Sequence, residues 1–555
     1  MSRADIIIEN ANILTMDETR PRASAIAFSG DQILAVGSRA DVSEFVSPST
    51  RSINAGGAAV LPGFIDSHIH LFPGGAQLNS LSLAGVTGFD AIASAVRERA
   101  AAEPDAKILM VEQAAYFMFG DGQPMTRHLL DQILPDRPLA LFASDHHTMW
   151  ANTAALEAAG ILNGFAVSPG NEIVMGADGR ATGELREFEA FAPVSALTPT
   201  GGRDMLGLTG SEPKSPPNAM QRGVDKKTLR EALAYCASLG ITSFHNMDGN
   251  FYQFDLLAEI EREGGMNVRG YLPFRMLPGM PLADLQKAAE MGRRWKSDRL
   301  KGGFVKIFMD GVIESTTAHM MEEYCGMPGQ HGMSYFEQDE FDAICVEADR
   351  LGLQIAVHAI GDKAVNRTLN SYEAAQTANG RRDSRHRIEH IEMLLPADLN
   401  RFANLGVLAS MQPTHAPGGY YPPEPILTMM GRERMKSGYA WQTIRDTGAR
   451  LVFASDWPVA PLDPLLGIAT AMTCQPTFPG APDQRQSLMD SIAGFTRDGA
   501  FTEFAEHSKG MLKPGMLADL VILDRDIEKT APGEIAAVKV AATFCGGAMT
   551  YERGV

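Results

Sequence analysis

The chain has 555 residues, 45% of them hydrophobic, and carries 49 Lys+Arg against 67 Asp+Glu for a formal charge of −18. That length exceeds one ordinary domain and predicts a large domain with a smaller one. The acidic balance argues against nucleic acid or an anionic membrane as partner. Five scattered cysteines, none in a CxxC pair, fit a reducing compartment without a disulfide framework. No run of 18 apolar residues suggests a membrane span, and Asp5 and Glu9 interrupt the apolar N-terminus that a signal peptide would need, so a cytoplasmic chain is expected.

Residues 4–60 read as short strands, with a turn at Gly30–Asp31 joining two apolar runs as a hairpin does. Strand-like runs return at 516–526 and 538–554. Both chain ends, 1–60 and 508–555, are therefore expected to build one small β-sandwich domain. Between them, from 61 to 507, a unit of amphipathic helix, glycine and apolar strand recurs. Leu229, Ala232, Leu233 and Cys236 form one helical stripe, stopped at Gly240 before ITSFHNM; Phe341, Ile344, Cys345 and Ala348 form another, stopped at Gly352 before LQIAVHAI. The unit recurs before VLASMQ and ARLVFASD. Alternating helices and buried strands mean a parallel sheet, and with no GxGxxG after a strand a closed (β/α)8 TIM-like barrel is preferred. Two stretches, 73–130 and 145–224, are too long for a single βα step. They are expected as insertions over the barrel mouth, with 200–220 either partly mobile or without a role.

Chemistry concentrates at strand ends. LPGFIDSHIHLF (61–72) places His68 and His70 two apart, on one face of a strand together with Asp66. GGFVKIFMDG carries Lys306, LQIAVHAIGD ends at His358, RHRIEHIEML holds His390 and ARLVFASDWPV ends at Asp456. In a barrel the C-terminal strand ends converge on one cleft, so these six groups are expected to meet there as metal ligands. Taken singly each has a plainer reading: a packed histidine, a lysine paired with Asp310 or Glu314, an aspartate capping the helix before Pro458.

The motifs VKIFMDG, DHHTMWAN, HAIGD, RIEHIE and ASDWPV, spread over nearly the whole chain, resemble the amidohydrolase superfamily and within it the amidohydrolase-3 or YtcJ-like branch, which includes N-substituted formamide deformylases. The resemblance implies two metal ions per subunit, Zn(2+) first and Mn, Co or Fe as alternatives. His68 and His70 would bind one with Asp456, His358 and His390 the other, and Lys306, as N6-carboxylysine, would bridge them. A lysine ammonium cannot ligate a cation, whereas its carbamate is a two-oxygen anion. Asp456 is the implied catalytic base, taking a proton as metal-activated hydroxide attacks a carbonyl and returning it to the leaving amine.

Four further residues are candidate substrate contacts. His147 and Trp150 stand in DHHTMWAN, where His146 replaces the glycine usual in the branch. His245 ends a strand and either lines the cleft or packs structurally; His415, in MQPTHAPGG, either orients the substrate carbonyl or is a loop histidine. Met, Tyr and Phe gather at 115–122, 320–336 and 419–430. They suit an apolar or aromatic substrate portion and equally suit ordinary packing of long loops. The expected activity is hydrolysis of the C–N bond of a small N-substituted amide. Alternatives are a cyclic amide, carbamate or lactone on the same site, a heterocycle deaminase, and a non-catalytic scaffold. The deaminase type usually carries a HxxE acid, and His358 is followed by Ala-Ile-Gly-Asp. A small-molecule substrate and a homo-oligomer, as a dimer, complete the expectation.

Overall fold

The computed structural model describes residues 3–120, 123–143, 146–168 and 171–553. Two compact units are distinguished, one of residues 1–71, 208–212 and 233–555, the other of 72–207 and 213–232.

The first unit contains eight parallel strands in sequence order: β1 (Phe64–Ile69), β2 (Ile241–Asn246), β3 (Arg269–Arg275), β4 (Leu300–Phe308), β5 (Gln354–Ala359), β6 (Arg387–His390), β7 (Leu408–Met411) and β8 (Leu451–Phe453). The segment after β8 returns to β1. Asp456 N–H donates to the His68 carbonyl (2.8 Å), His70 N–H donates to the Trp457 carbonyl (2.7 Å), and Ile69 pairs with Trp457. These bonds bring the barrel to near closure and deliver His68, His70 and Asp456 to one place.

The helical stripes bury as their spacing requires. Phe341, Ile344, Cys345 and Ala348 are the buried side of Gln338–Arg350, ahead of β5. The helix expected from Asp225 begins earlier, at Ala219–Ser238, and ends before Gly240. Gly240 has φ +80°, and a Cβ there would meet Phe64 and Val521 at 3.0 and 2.8 Å, so both its backbone conformation and the approach of the chain need glycine.

Strands from the two chain ends form one continuous sheet. Ile6–Leu14, Arg22–Ser29, Gln32–Gly37, Arg51–Asn54 and Ala59–Pro62 join Leu520–Leu523, Val540–Cys545 and Ala548–Glu552. The Gly30–Asp31 turn closes the hairpin at the Ser29–Gln32 pair. One face buries Ile8, Ile26, Phe28, Leu520 and Phe544, and the other buries Ile7, Ala25, Ala27 and Val42. A bidentate ion pair from Arg269 on β3 to Asp519 (2.8 and 3.1 Å) ties this sheet to the barrel.

The stretches expected as barrel insertions are built structure. With residues 131–143 between them they give the second unit a six-stranded sheet, running from Leu81–Ser82 through Leu109–Ala114, Leu139–Ala143, Thr148–Ala151 and Ala181–Arg186 to Glu172–Met175. Its core holds Ile92, Val96, Val111, Leu130, Leu141 and Trp150. Within 200–220, Arg203–Thr209 is a 3-10 helix. The longer spacing thus reflects a second hydrophobic core, which a reading of strand spacing alone treats as loop.

Candidate metal centre

Alternation along the strands decides which side chains enter the barrel. Phe304, Lys306 and Phe308 share one face of β4, and register pairs Lys306 with Arg275 on β3 and Phe308 with His358 on β5. On β6 Arg387 and Glu389 share the inward face. His390 would then point outward, but its φ of +76° turns the chain so that both it and Glu389 reach the ring of His68. Asp456 also lies in the left-handed region, at φ +61°. Such backbone is costly for residues other than glycine and collects at functional sites.

His68, His70 and Asp456 each present a ligand atom to a common point, all within 4.8 Å of one another, and His390, His415 and Asp456 do the same. His68 Nε2 and His70 Nε2 lie 3.2 and 3.3 Å from the same oxygen, Asp456 Oδ1. The far nitrogen of each ring is held by another carboxylate: His68 Nδ1 pairs with Glu389 (2.7 Å), His70 Nδ1 with Asp248 (3.2 Å). An Nδ1–H donated outward leaves the Nε2 lone pair facing the centre, which is how outer partners fix a ligating histidine. The rings of His358 and His390 meet at 4.5 Å, and His358 Nε2 contacts the Gly311 carbonyl at 3.1 Å. Asp66, on the face of β1 that carries both histidines, accepts from the backbone N–H groups of His68 (3.2 Å) and Ser455 (3.1 Å). That pins the turn leading to Asp456.

The electrostatics suit a cation. Burial holds His358 and His390 well below the usual imidazole range, so both rings are neutral. Burial also opposes ionisation of Asp456, but His68, His70 and His390 around it outweigh that and keep it a carboxylate. For His70 burial is outweighed by Asp248 and Asp456, which raise its pKa to about 9. Lys306 is wholly buried; desolvation brings its pKa down to about 7 against the pull of Glu389 and Asp456. Among the described residues its Nζ has no hydrogen-bond partner, and neither do His390 Nδ1 and His415 Nε2. Buried polar atoms are nearly always satisfied, so these atoms turned toward one centre, with neutral imidazoles and a carboxylate among them, fit a bound metal. The donor set of nitrogens and carboxylate oxygens is that of zinc and its first-row neighbours.

The substrate candidates fall in different places. His415 is at the centre, with Nδ1 3.6 Å from Glu392 and Nε2 3.8 Å from Asp456. His245 is fully buried inside the barrel, with Nδ1 3.0 Å from Arg387 and Nε2 3.4 Å from Glu503, so both ring nitrogens face protein side chains. His147 and Trp150 belong to the second unit. There His147 pairs with Glu187 at 3.0 Å, and Trp150 packs edge-on against Tyr116 in the core. Of the motif that carries these two residues, Asp145 lies outside the described residues.

Sequence reasoning missed Glu389, Asp248 and Glu392. The first had a signal: Arg387 and Glu389 stand two apart in RIEH and must share the face that looks into the barrel. Asp248 and Glu392 lie just beyond strand ends, where no periodicity applies.

Comparison with known proteins agrees with this geometry. The profile described as "Amidohydrolase family" matches residues 51–551. The chain is 32% identical to "Protein LONG AFTER FAR-RED 3" of Arabidopsis thaliana over 99% of its own length and 92% of the other's. It is 30% identical to "Putative amidohydrolase YtcJ" of Bacillus subtilis over 98% of both, and 25% identical to "N-substituted formamide deformylase" of Arthrobacter pascens over 99% and 98%. An uncharacterized metal-dependent hydrolase from Pyrococcus horikoshii shares the fold with a TM-score of 0.75, at 24% identity over 95% of this chain and 99% of that one. A barrel whose strand ends gather these histidines around Asp456, matched from end to end by that profile, makes this chain a hydrolytic enzyme of the amidohydrolase family.

Proposed function

We propose that the protein hydrolyses the C–N bond of a small N-substituted amide with an apolar or aromatic portion. The observation that carries this reading is the pair of imidazole Nε2 atoms aimed at Asp456 Oδ1, with the unpartnered Lys306 Nζ buried in the same barrel. His68, His70 and Asp456 would hold one metal ion and His358 and His390 a second, zinc by preference. Lys306, whose lowered pKa of about 7 leaves a neutral amine fraction near neutral pH that can take up carbon dioxide, would supply a carbamate ligand. When bound, such a pair ionises a water near neutrality and polarises a carbonyl.

The chain's own part follows from placement. Asp456, kept ionised beside its histidines, accepts the proton of the attacking water and returns it to the departing amine. Glu389 and Asp248 hold the two imidazoles in one tautomer while that proton moves. His415, whose pKa Glu392 and Asp456 raise against the effect of burial, would donate a hydrogen bond to the substrate carbonyl oxygen. Support for an apolar substrate portion comes from Met321, Met327, Met333 and Tyr420, large side chains left exposed on the long loops after β4 and β7. Among the described residues no helix is long and apolar enough to cross a membrane.

The test is a hydrolysis screen of N-formyl, N-acetyl and N-aryl amides with zinc-, manganese- and cobalt-loaded enzyme, reading amine release. Turnover of amides supports the reading. Activity confined to lactones or esters overturns it.

A further inference from the structure

Arg275 and Arg387 both lie buried inside the barrel, and they are treated differently. Arg387, on β6, faces Glu389 at 2.8 Å and His245 at 3.0 Å. Arg275, the last residue of β3, is 8% exposed and has no carboxylate partner among the described residues. Its Nε donates to the Leu208 carbonyl (3.0 Å) and its Nη1 donates to the Lys306 carbonyl (3.4 Å). Among the described residues Nη2 makes no hydrogen bond. An ionised guanidinium taken out of water without a counter-charge is among the costlier things a fold can keep.

Register says where this charge points. Tyr271, Pro273 and Arg275 share one face of β3, and Pro273 and Arg275 pair with Phe304 and Lys306 on β4. Tyr271 and Phe304 belong to the barrel interior, so Arg275 faces inward at the C-terminal mouth. Its guanidinium lies 3.9 Å from the ring centroid of Phe308, and that ring stacks on His358 at 4.5 Å and 15°. Arg275 is thus one ring away from a proposed metal ligand. Gly210 closes over its stem; a Cβ there would come within 2.8 Å of the Arg275 Cβ.

We infer that Arg275 receives a carboxylate carried by the substrate, so that the amide cleaved is of the N-acyl amino acid type, an acid as well as an amide. With Nε and one Nη1 hydrogen committed to backbone carbonyls, the edge formed by Nη1 and Nη2 still offers two parallel N–H donors, the fork that matches a planar carboxylate. Phe308 fixes the plane of the fork, and the two carbonyls fix its reach. The overall charge of −18 does not oppose this, because a desolvated guanidinium at contact outweighs distant charges screened by solvent.

This inference rests on the amide reading, and its test separates the two. The metal-loaded enzyme is assayed on N-acetyl amino acids and on the matching N-acetyl amino acid amides, which differ in the carboxylate alone. Equilibrium dialysis with the same acids and amides reports binding without turnover. For the acid, kcat/KM is expected to fall ~10–100-fold in Arg275→Gln, mostly through KM, with Arg275→Lys intermediate and the neutral amide changed less than about threefold. Metal content and melting temperature should stay at wild-type values. Equal losses on acid and amide, no loss on the acid, or loss of bound metal in Arg275→Gln would overturn the inference; the last would mean that Arg275 serves the metal site. Binding of the acids that depends on Arg275, with no amide cleaved, would keep the inference and count against the amide reading.

Discussion

The two ends of the barrel interior are both charged, and they handle charge in opposite ways. Toward the floor, Glu503 is met by Lys509 (2.5 Å), His245 (3.4 Å) and Lys301 (3.5 Å), and Lys509 also donates to Ser243 (2.7 Å). Gln354 there bridges the carbonyls of Arg385 and Thr502 (2.7 and 2.8 Å). Each floor charge has its opposite within reach. At the mouth the Nε2 atoms of His68 and His70 converge on Asp456, and among the described residues Lys306 Nζ makes no hydrogen bond and Arg275 has no acid. Arg387 and Glu389 join the ends, because Glu389 faces Arg387 on one side and His68 on the other. A floor closed on itself contributes rigidity; a mouth left open is built to be completed from outside. Removing one partner from a closed network exposes an uncompensated charge, whereas removing one group from the open set changes what it can hold.

The largest effect should come from the mouth. Asp456→Asn is expected to lower kcat by ~10³–10⁴-fold while metal analysis still finds bound ions, since the amide keeps a ligating oxygen and loses the basic one. Near-normal turnover would remove Asp456 from the role of base. Next comes the floor. Glu503→Gln should cost about 3 kcal/mol of stability in chemical denaturation and leave metal content untouched. Loss of bound metal in Glu503→Gln with stability unchanged would erase the distinction drawn between the ends.

The connecting carboxylate should give an intermediate result. Glu389→Gln frees His68 to rotate and is expected to weaken metal affinity ~10–100-fold in a chelator competition assay, with turnover recovering at saturating metal. The smallest effects are with pH; stability at the floor and metal affinity at the mouth both rise with pH, over different ranges. Despite burial, Lys509 and His245 hold the folded pKa of Glu503 below the usual 4.5. Its contribution is therefore complete above about 4.5 and is lost as the pH falls further. The wild type should lose stability faster than Glu503→Gln on acidification through that range. At the mouth, protons on His70 (about 9) and Lys306 (about 7) compete with the metal. Metal affinity should rise with pH from 6 and level off above about 9; a flat profile would separate both groups from the site.

Much of the barrel was legible because its strands are short apolar runs with chemistry at their ends: HIH at β1, Lys306 in β4, His358 closing β5. The second unit was not, because its strands follow the same local rules and only long-range pairing reveals that they share a core apart from the barrel. In the site, alternation shows what faces inward on a regular strand. It fails at His390, where left-handed backbone brings two successive residues to one ring, and at Asp248 and Glu392 beyond strand ends. It places Arg275 inward and says nothing of the missing counter-charge, a property of the whole surrounding. His245 shows the opposite limit: strand position puts it inside the barrel, but depth along the strand, which only the register supplies, sets it among the floor charges.

The most direct test is metal analysis of the purified, unchelated protein beside His68→Ala. About two transition-metal ions per chain are expected in the wild type, with the content falling sharply in the variant. Protein that holds no transition metal, or a variant that keeps the full complement, would contradict a mouth assembled to hold cations.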